Sequence, residues 1–195
     1  MSFQTGTNAE LLYVNEDAFT AKNTFTSEVQ INDQAGGGPQ AYLPHGFFLF
    51  PGSSRKSLRV VARGIMSSTG TPTYTFTLRS GTAGNTSAAI LAGSAALTTA
   101  SGITNKMWEF EADIVVKKPT GSGAATSGVG AGMISSPAGL ASPFQYELWG
   151  GAAQPGTFST LDPTIDNYLN FNVACSASNA SNSIQLLQLL VLGLN

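Results

Sequence analysis

The chain predicts an all-β fold, a sandwich or barrel of about eight to ten short strands. Three observations carry that expectation. Apolar and polar residues alternate over short runs, as in Leu169, Phe171 and Val173 against Asn170, Asn172 and Ala174, the period-two pattern of a strand with one buried face. Clusters of Gly, Pro, Ser and Asn separate those runs, and such residues end strands rather than continue them. No stretch shows the spacing of an amphipathic helix, and no unit recurs at solenoid or propeller periods.

The totals set limits on function. At 195 residues the chain fits one domain plus an extension, and a domain of this size buries roughly 70% of the surface its unfolded chain exposes. Charged residues make up only 10% of the sequence, and nine basic against eleven acidic residues leave a net charge of -2. The basic residues are scattered apart from Arg55 with Lys56 and Lys117 with Lys118, so no stripe follows a phosphate backbone and nucleic acid is not an expected partner. The start, MSFQTGTNAELL, has neither the basic region nor the long apolar region of a secretory signal, and no apolar run approaches the ~20 residues of a membrane span. A chain synthesised in the cytoplasm without a membrane partner is expected. The single cysteine, Cys175, closes an apolar strand run and reads as a small buried thiol.

Taken in order, residues 1–40 read as an N-terminal arm. They are polar and aperiodic up to Asn23, then place Phe25, Val29 and Ile31 at odd positions, which suggests one strand over Thr24–Ile31. Gly36, Gly37, Gly38 and Pro39 break any regular element and mark the boundary to a domain over 41–195. Phe47, Phe48, Leu49 and Phe50 form a dense apolar run ended by Pro51 and Gly52. In the strand Ser57–Met66, Arg59 and Arg63 share a face with Val61 and Ile65, as charges do on the solvent side of an antiparallel sheet. Tyr74, Phe76 and Leu78 point inward from TYTFTLR, with threonines outward. Residues 80–105 are rich in Gly, Ala, Ser and Thr and read as a long surface loop or a short edge strand. Trp108, Phe110, Ala112, Ile114 and Val116 then share one face of a long strand, with Glu109, Glu111 and Asp113 on the other. A weaker strand over Val129–Ile134, a run Phe144–Gly151 and a turn-rich loop Pro155–Pro163 precede the C-terminal pair. That pair, Asn167–Cys175 and Ser183–Leu194, is joined by SASNASN and reads as a hairpin. Its second run is apolar on nearly every residue, so it belongs in the middle of a sheet or at a subunit contact.

Few residues suggest chemistry. His45, the only histidine, sits between Pro44 and Gly46; a zinc site would need three or four N and S donors, and no nucleophile-elbow motif accompanies it. Glu109, Glu111 and Asp113 project from one strand face at ~6.5–7 Å steps, a spacing open to a glycosidase pair but ordinary on a solvated strand. Asp162 and Asp166 bracket LDPTIDN, where turn formation explains them better than a calcium loop. No cofactor, metal site or catalytic residue is expected, and the chain reads as a non-enzyme.

The order of pieces RVVARGIMSSTGTPTYTFTLR (Arg59–Arg79), a small-residue loop, WEFEADIVVK (Trp108–Lys117) and YLNFNVACSASNASNSIQLLQLLVLGLN at the C-terminus resembles jelly-roll virion proteins of tailed bacteriophages. It is most similar to capsid decoration, or cement, proteins. The resemblance spans roughly residues 45–195 and implies an antiparallel jelly-roll sandwich on the capsid exterior, often a homotrimer, that clamps the major capsid protein. On that basis Leu187, Leu189 and Val191 are expected to face partner subunits, while Leu186, Leu190 and Leu192 face the core. The alternative is a receptor- or carbohydrate-binding jelly roll of a tail or fibre protein, with Trp149 or Tyr42 stacking on sugar rings.

Overall fold

The structure, a computed structural model, describes residues 9–15, 17–33, 40–48, 57–81, 89–117, 126–142, 146–149 and 157–194. Fourteen strands carry them: β1 Ala9–Val14, β2 Lys22–Asn23, β3 Val29–Gln30, β4 Tyr42–Leu43, β5 Ser57–Ser68, β6 Thr73–Gly81 and β7 Ala89–Gly93. There follow β8 Leu97–Thr98, β9 Ile103–Val116, β10 Thr126–Ser135, β11 Tyr146–Trp149, β12 Thr157–Leu161, β13 Asn167–Cys175 and β14 Ser183–Leu194. Among the described residues there is no helix, as the sequence pattern predicts.

The strands form two packed antiparallel layers. One runs β1-β14-β5-β9-β10 and the other β7-β6-β13-β3, with β11 touching both β10 and β7 at one side. Their inner faces supply the core. On β9, Trp108, Phe110, Ala112, Ile114 and Val116 all point inward and are buried, which is the face the alternation assigns them. The Trp108 ring stacks on Phe171 of β13 at 5.8 Å and lies tilted against Phe76 of β6 at 5.1 Å, and Phe110 meets Phe171 edge-on at 4.7 Å. Aromatic pairs at these separations add to the apolar area they bury.

Small residues let the layers approach. A Cβ on Gly130 would stand 1.7 Å from the Leu91 carbonyl oxygen, so the glycine-rich sequence of β10 is what lets β7 cross its inner face. The strand over 129–134 therefore extends to ten residues, Thr126–Ser135. The loop expected at 155–163 contains β12, which pairs with β10. The 80–105 stretch contains β7 and β8 on the edge of β6.

Two expectations about connectivity change. β13 and β14 do not pair with each other: β13 pairs with β6, β3 and β4, and β14 with β5, β1 and β2. The loop 176–182 is a corner between layers, because both apolar runs offer a face to the same core and can do so from opposite sides. The second concerns the arm. The described residues between 9 and 33 pack with the sandwich: β1 pairs with β14, and Phe19 and Ile31, 2% and 0% exposed, are in the core. The Asn32 side chain donates to the Leu169 carbonyl at 2.7 Å and accepts from the Phe171 N–H at 2.9 Å, and thereby continues the β3 ladder where the backbone leaves it. The boundary at 36–39 and the residues Leu49 and Phe50 lie outside the described residues.

Candidate functional site

The residues singled out for chemistry are occupied with structure. Arg59 forms a two-pronged bond to Asp113, Nε to Oδ1 and Nη2 to Oδ2, both 2.8 Å, and its Nε lies 3.5 Å from Glu111. Arg63 donates to Glu109 Oε1 from Nε at 3.1 Å and Nη2 at 2.8 Å, and its Nη1 reaches Gln188 at 2.9 Å. All three carboxylates of the β9 row are thus held by cations of β5, cross-strand partners in the register Arg59↔Asp113 and Arg63↔Glu109. This is a paired ionic ladder on an outer sheet face.

His45 and Asp166 meet on an outward loop, Nδ1 to Oδ1 at 3.4 Å with side-chain exposures of 76% and 53%. Asp166 Oδ1 also accepts from the His45 backbone N–H and the Tyr42 hydroxyl, both at 2.9 Å. The His45 N–H and the Tyr42 hydroxyl hold the Asp166 carboxyl below the usual carboxylate range, and the same bond raises Tyr42. Asp162 accepts from the Thr164 hydroxyl and N–H, which lowers its pKa and closes the turn. Asn167 secures that turn through the Asp162 and Ile165 carbonyls. Cys175 is buried, its thiol donating to the Ala177 carbonyl at 3.3 Å. Among the described residues no group of three His, Cys, Asp or Glu could hold a metal.

What remains is a surface. Eight large hydrophobic side chains are exposed among the described residues, and six of them, Leu11, Val14, Met107, Val115, Val129 and Met133, belong to the β1-β14-β5-β9-β10 layer. They sit on its outer face: Val115 and Met107 alternate with the inward Trp108 to Val116 series, Val129 and Met133 pair beside Val115 and Glu111, and Leu11 and Val14 pair with Leu192 and Leu190. Single exposed apolar residues are ordinary; here six of the eight fall on one sheet face, at its β1 edge and on β9 and β10. The ionic ladder lies in the middle of this face with its charges internally matched.

The proposed interface residues of β14 distribute differently from the expectation. Leu189 and Val191 are each 1% exposed and belong to the core, whereas Leu190 and Leu192 are half-buried on the outer face. The cause is a β-bulge between Leu186 and Gln188. Ile184 and Leu186 point inward, Leu187 takes up the extra position half-buried, and the inward set resumes at Leu189. Asn15 clips the bulge: its amide donates to the Leu187 carbonyl at 2.9 Å and its carbonyl accepts from the Leu189 N–H. The doublet Leu186-Leu187 was the signal for it, since a one-residue slip exchanges the faces of every residue beyond.

A second, smaller surface lies at one end of the sandwich. It holds the other two exposed hydrophobics, Tyr42 and Ile165, beside Asp166 and His45, with Tyr168 tilted against Tyr42 at 5.6 Å. The side chain of Trp149 lies outside the described residues. No protein-family model, curated protein or solved structure matches the chain.

Proposed function

We propose that the chain is a non-enzymatic virion structural protein, a decoration or cement protein that binds the major capsid protein on the outside of a phage shell. The observation that carries this reading is the concentration of exposed apolar side chains on one outer sheet face. Such a face suits burial against other subunits, and its core of matched Arg and carboxylate groups suits protein rather than an anionic polymer or lipid surface.

A jelly roll is the topology we assign. A jelly roll is a chain folded back into one long antiparallel ribbon that is then wrapped around a core. The pairs β1 with β14, β3 with β13, β5 with β9 and β6 with β7 are the successive rungs of such a ribbon, and β14 with β5 and β13 with β6 are the contacts its wrapping creates. On this reading β10, β11 and β12 are an insertion that closes one side.

Against an enzyme stands the commitment of Glu109, Glu111 and Asp113 to Arg59 and Arg63. The carbohydrate-binding alternative has its own support in Tyr42 and Asp166: an exposed aromatic ring stands beside a carboxylate fixed by a hydrogen-bonded turn. Cryo-electron microscopy of particles from the source phage tests both. Density for the chain on the head, with the β1-β14-β5-β9-β10 face buried, supports the cement reading. Density at the tail tip, together with glycan-array binding that Tyr42→Ala abolishes, replaces it with the alternative.

A further inference from the structure

The outer face of the first layer is complementary to itself. Read from β14 through β5 and β9 to β10, one row is Leu192, Arg59, Asp113, Ala131 and another is Gln188, Arg63, Glu109, Ser135. The row between them ends on Leu190 and Met133, and the row beyond Arg59 ends on Leu194 and Val129. The two charged rows are thus symmetric in polarity and antisymmetric in charge about the seam between β5 and β9, and the other two are apolar at both ends.

A two-fold axis parallel to the strands along that seam exchanges β5 with β9 and β14 with β10, and keeps every row in place. It sets Arg59 over Asp113 and Arg63 over Glu109 of a second copy. The same rotation sets Leu190 over Met133 and Leu194 over Val129. An axis across the strands does the reverse: each strand lies over itself, with Arg59 against Arg63 and Asp113 against Glu109.

We propose that this face is where two copies of the chain meet, face to face about the seam, as aligned sheets pack at ~10 Å. The inference rests on the reading above in treating the face as a protein-binding surface, and gives that surface to a second copy, so that the dimer meets the shell by its remaining surface. The apolar flanks supply the affinity. The ladder supplies the register: Arg59 and Asp113 are 41% and 44% exposed and already paired within the chain, so a second copy completes a four-membered network rather than neutralising free charge. Two positions in these rows do not match: Val61 lies over Glu111, which the nearby Arg59 compensates, and Ser57 lies over Val115 at the end of the face.

The test is the mass of the full chain by sedimentation equilibrium across micromolar concentrations. The expected mass is that of two 20.1 kDa chains. Met133→Glu, which sets a carboxylate over Leu190, weakens association at least about tenfold, and Arg59→Glu does the same. Adding Asp113→Arg to Arg59→Glu reverses the pair within and between copies and restores the dimer. Circular dichroism melts of each variant confirm folding, and Val129→Glu substitutes for Met133→Glu if that chain fails to fold. A wild-type mass of one chain or three, or a dimer indifferent to these substitutions, overturns the pairing. A monomer that still binds phage heads overturns the pairing alone; a dimer that binds no head overturns the cement reading alone.

Discussion

Gly64→Ala is the sharpest test of how the layers pack. Gly64 lies on the inner face of β5, and a Cβ built there stands 2.0 Å from the Gln185 carbonyl oxygen and 2.5 and 2.6 Å from Cζ2 and Cε2 of Trp108. Ordinary contact needs about 3.5 Å, so the neighbours would have to retreat by roughly 1 Å or more. Neither is free to do so. Gln185 is tied to the ladder of β14, with its own amide donating to the Phe19 carbonyl, and the indole is held from the opposite side by Phe76 and Phe171. Overpacking of a filled core costs about 1–3 kcal/mol, and a clash with both backbone and a trapped ring places this substitution at about 3 kcal/mol. For a domain of this size that lowers the melting temperature by roughly 6–12 °C.

Urea unfolding of the single and double variants reads the effect directly. Trp108→Phe alone loses ring volume but also removes an indole N–H that is buried without a partner, a group whose desolvation costs about 1–3 kcal/mol, so its net cost is small. In the Gly64→Ala background the smaller ring vacates part of the space the methyl group needs. The double variant should therefore be about 1 kcal/mol more stable than the sum of the singles predicts, within the coupling found for residues in contact. A Gly64→Ala chain within 0.5 kcal/mol of wild type, or strict additivity with Trp108→Phe, refutes the packing of β5 against the indole.

Three further outcomes follow from single contacts. Asn32→Ala leaves the buried Leu169 carbonyl and Phe171 N–H without their partner and should cost about 2–3 kcal/mol, read as a lower urea midpoint with an unchanged slope. Burial raises the pKa of Glu28, but bonds from Arg79, at 2.7 and 2.8 Å, and from the Thr77 hydroxyl outweigh it and hold the carboxyl below its ordinary value. Its contribution is therefore complete above the unfolded-state pKa and disappears as the pH falls through the folded one, so stability measured from neutral to acid pH should fall less steeply in Glu28→Gln; equal slopes contradict this. Thr24 is a β-branched residue at φ 57°, a conformation Asn tolerates better, and Thr24→Asn should raise stability by about 0.5–1 kcal/mol in the same assay.

Local period-two patterning was enough to read β5, β6, β9 and β13, because each lies across the core and shows it a full apolar face; β14, apolar on nearly every residue, shows no such alternation, and only the polar loop before it marks it as a strand. The pieces that escaped it are held by other means. The alternation of Phe25, Val29 and Ile31 suggests a strand over Thr24–Ile31, but β3 is only Val29–Gln30, extended by the Asn32 side chain and tied down by Glu28, so polar residues carry part of the structure that the alternation rule assigns to apolar ones. The segment before it reads as a loose arm for the same reason: Phe19 is a single core residue among polar neighbours, and its burial depends on β14, far along the chain. The full length of β10 was obscured by its glycines, whose value lies in the space they leave for Leu91 and Phe158, and β12 by the turn residues on either side of it.

The surface was less legible than the core for a reason that concerns register. Its parts are visible singly: Arg59 and Arg63 on one run, Glu109 to Asp113 on another, and an apolar strand at the C-terminus. What unites them is that β14, β5, β9 and β10 lie side by side, and no local pattern states which strands are neighbours. The bulge at Leu187 adds a second difficulty, because the doublet Leu186-Leu187 announces a slip without saying on which side of it the core resumes. Asn15 settles that from β1's end of the fold, by bonding to the carbonyl of Leu187 and the N–H of Leu189. The consequence is that Leu190 and Leu192, rather than Leu189 and Val191, face outward beside Arg59 and Val61. An Asn15→Ala chain that loses this clip should therefore disturb the outer face through its register, with no change to any residue on that face. Loss of self-association in Asn15→Ala, with the melting temperature shifted by only a few degrees, would show that one amide orders the surface; association at wild-type strength would show that the bulge holds without it.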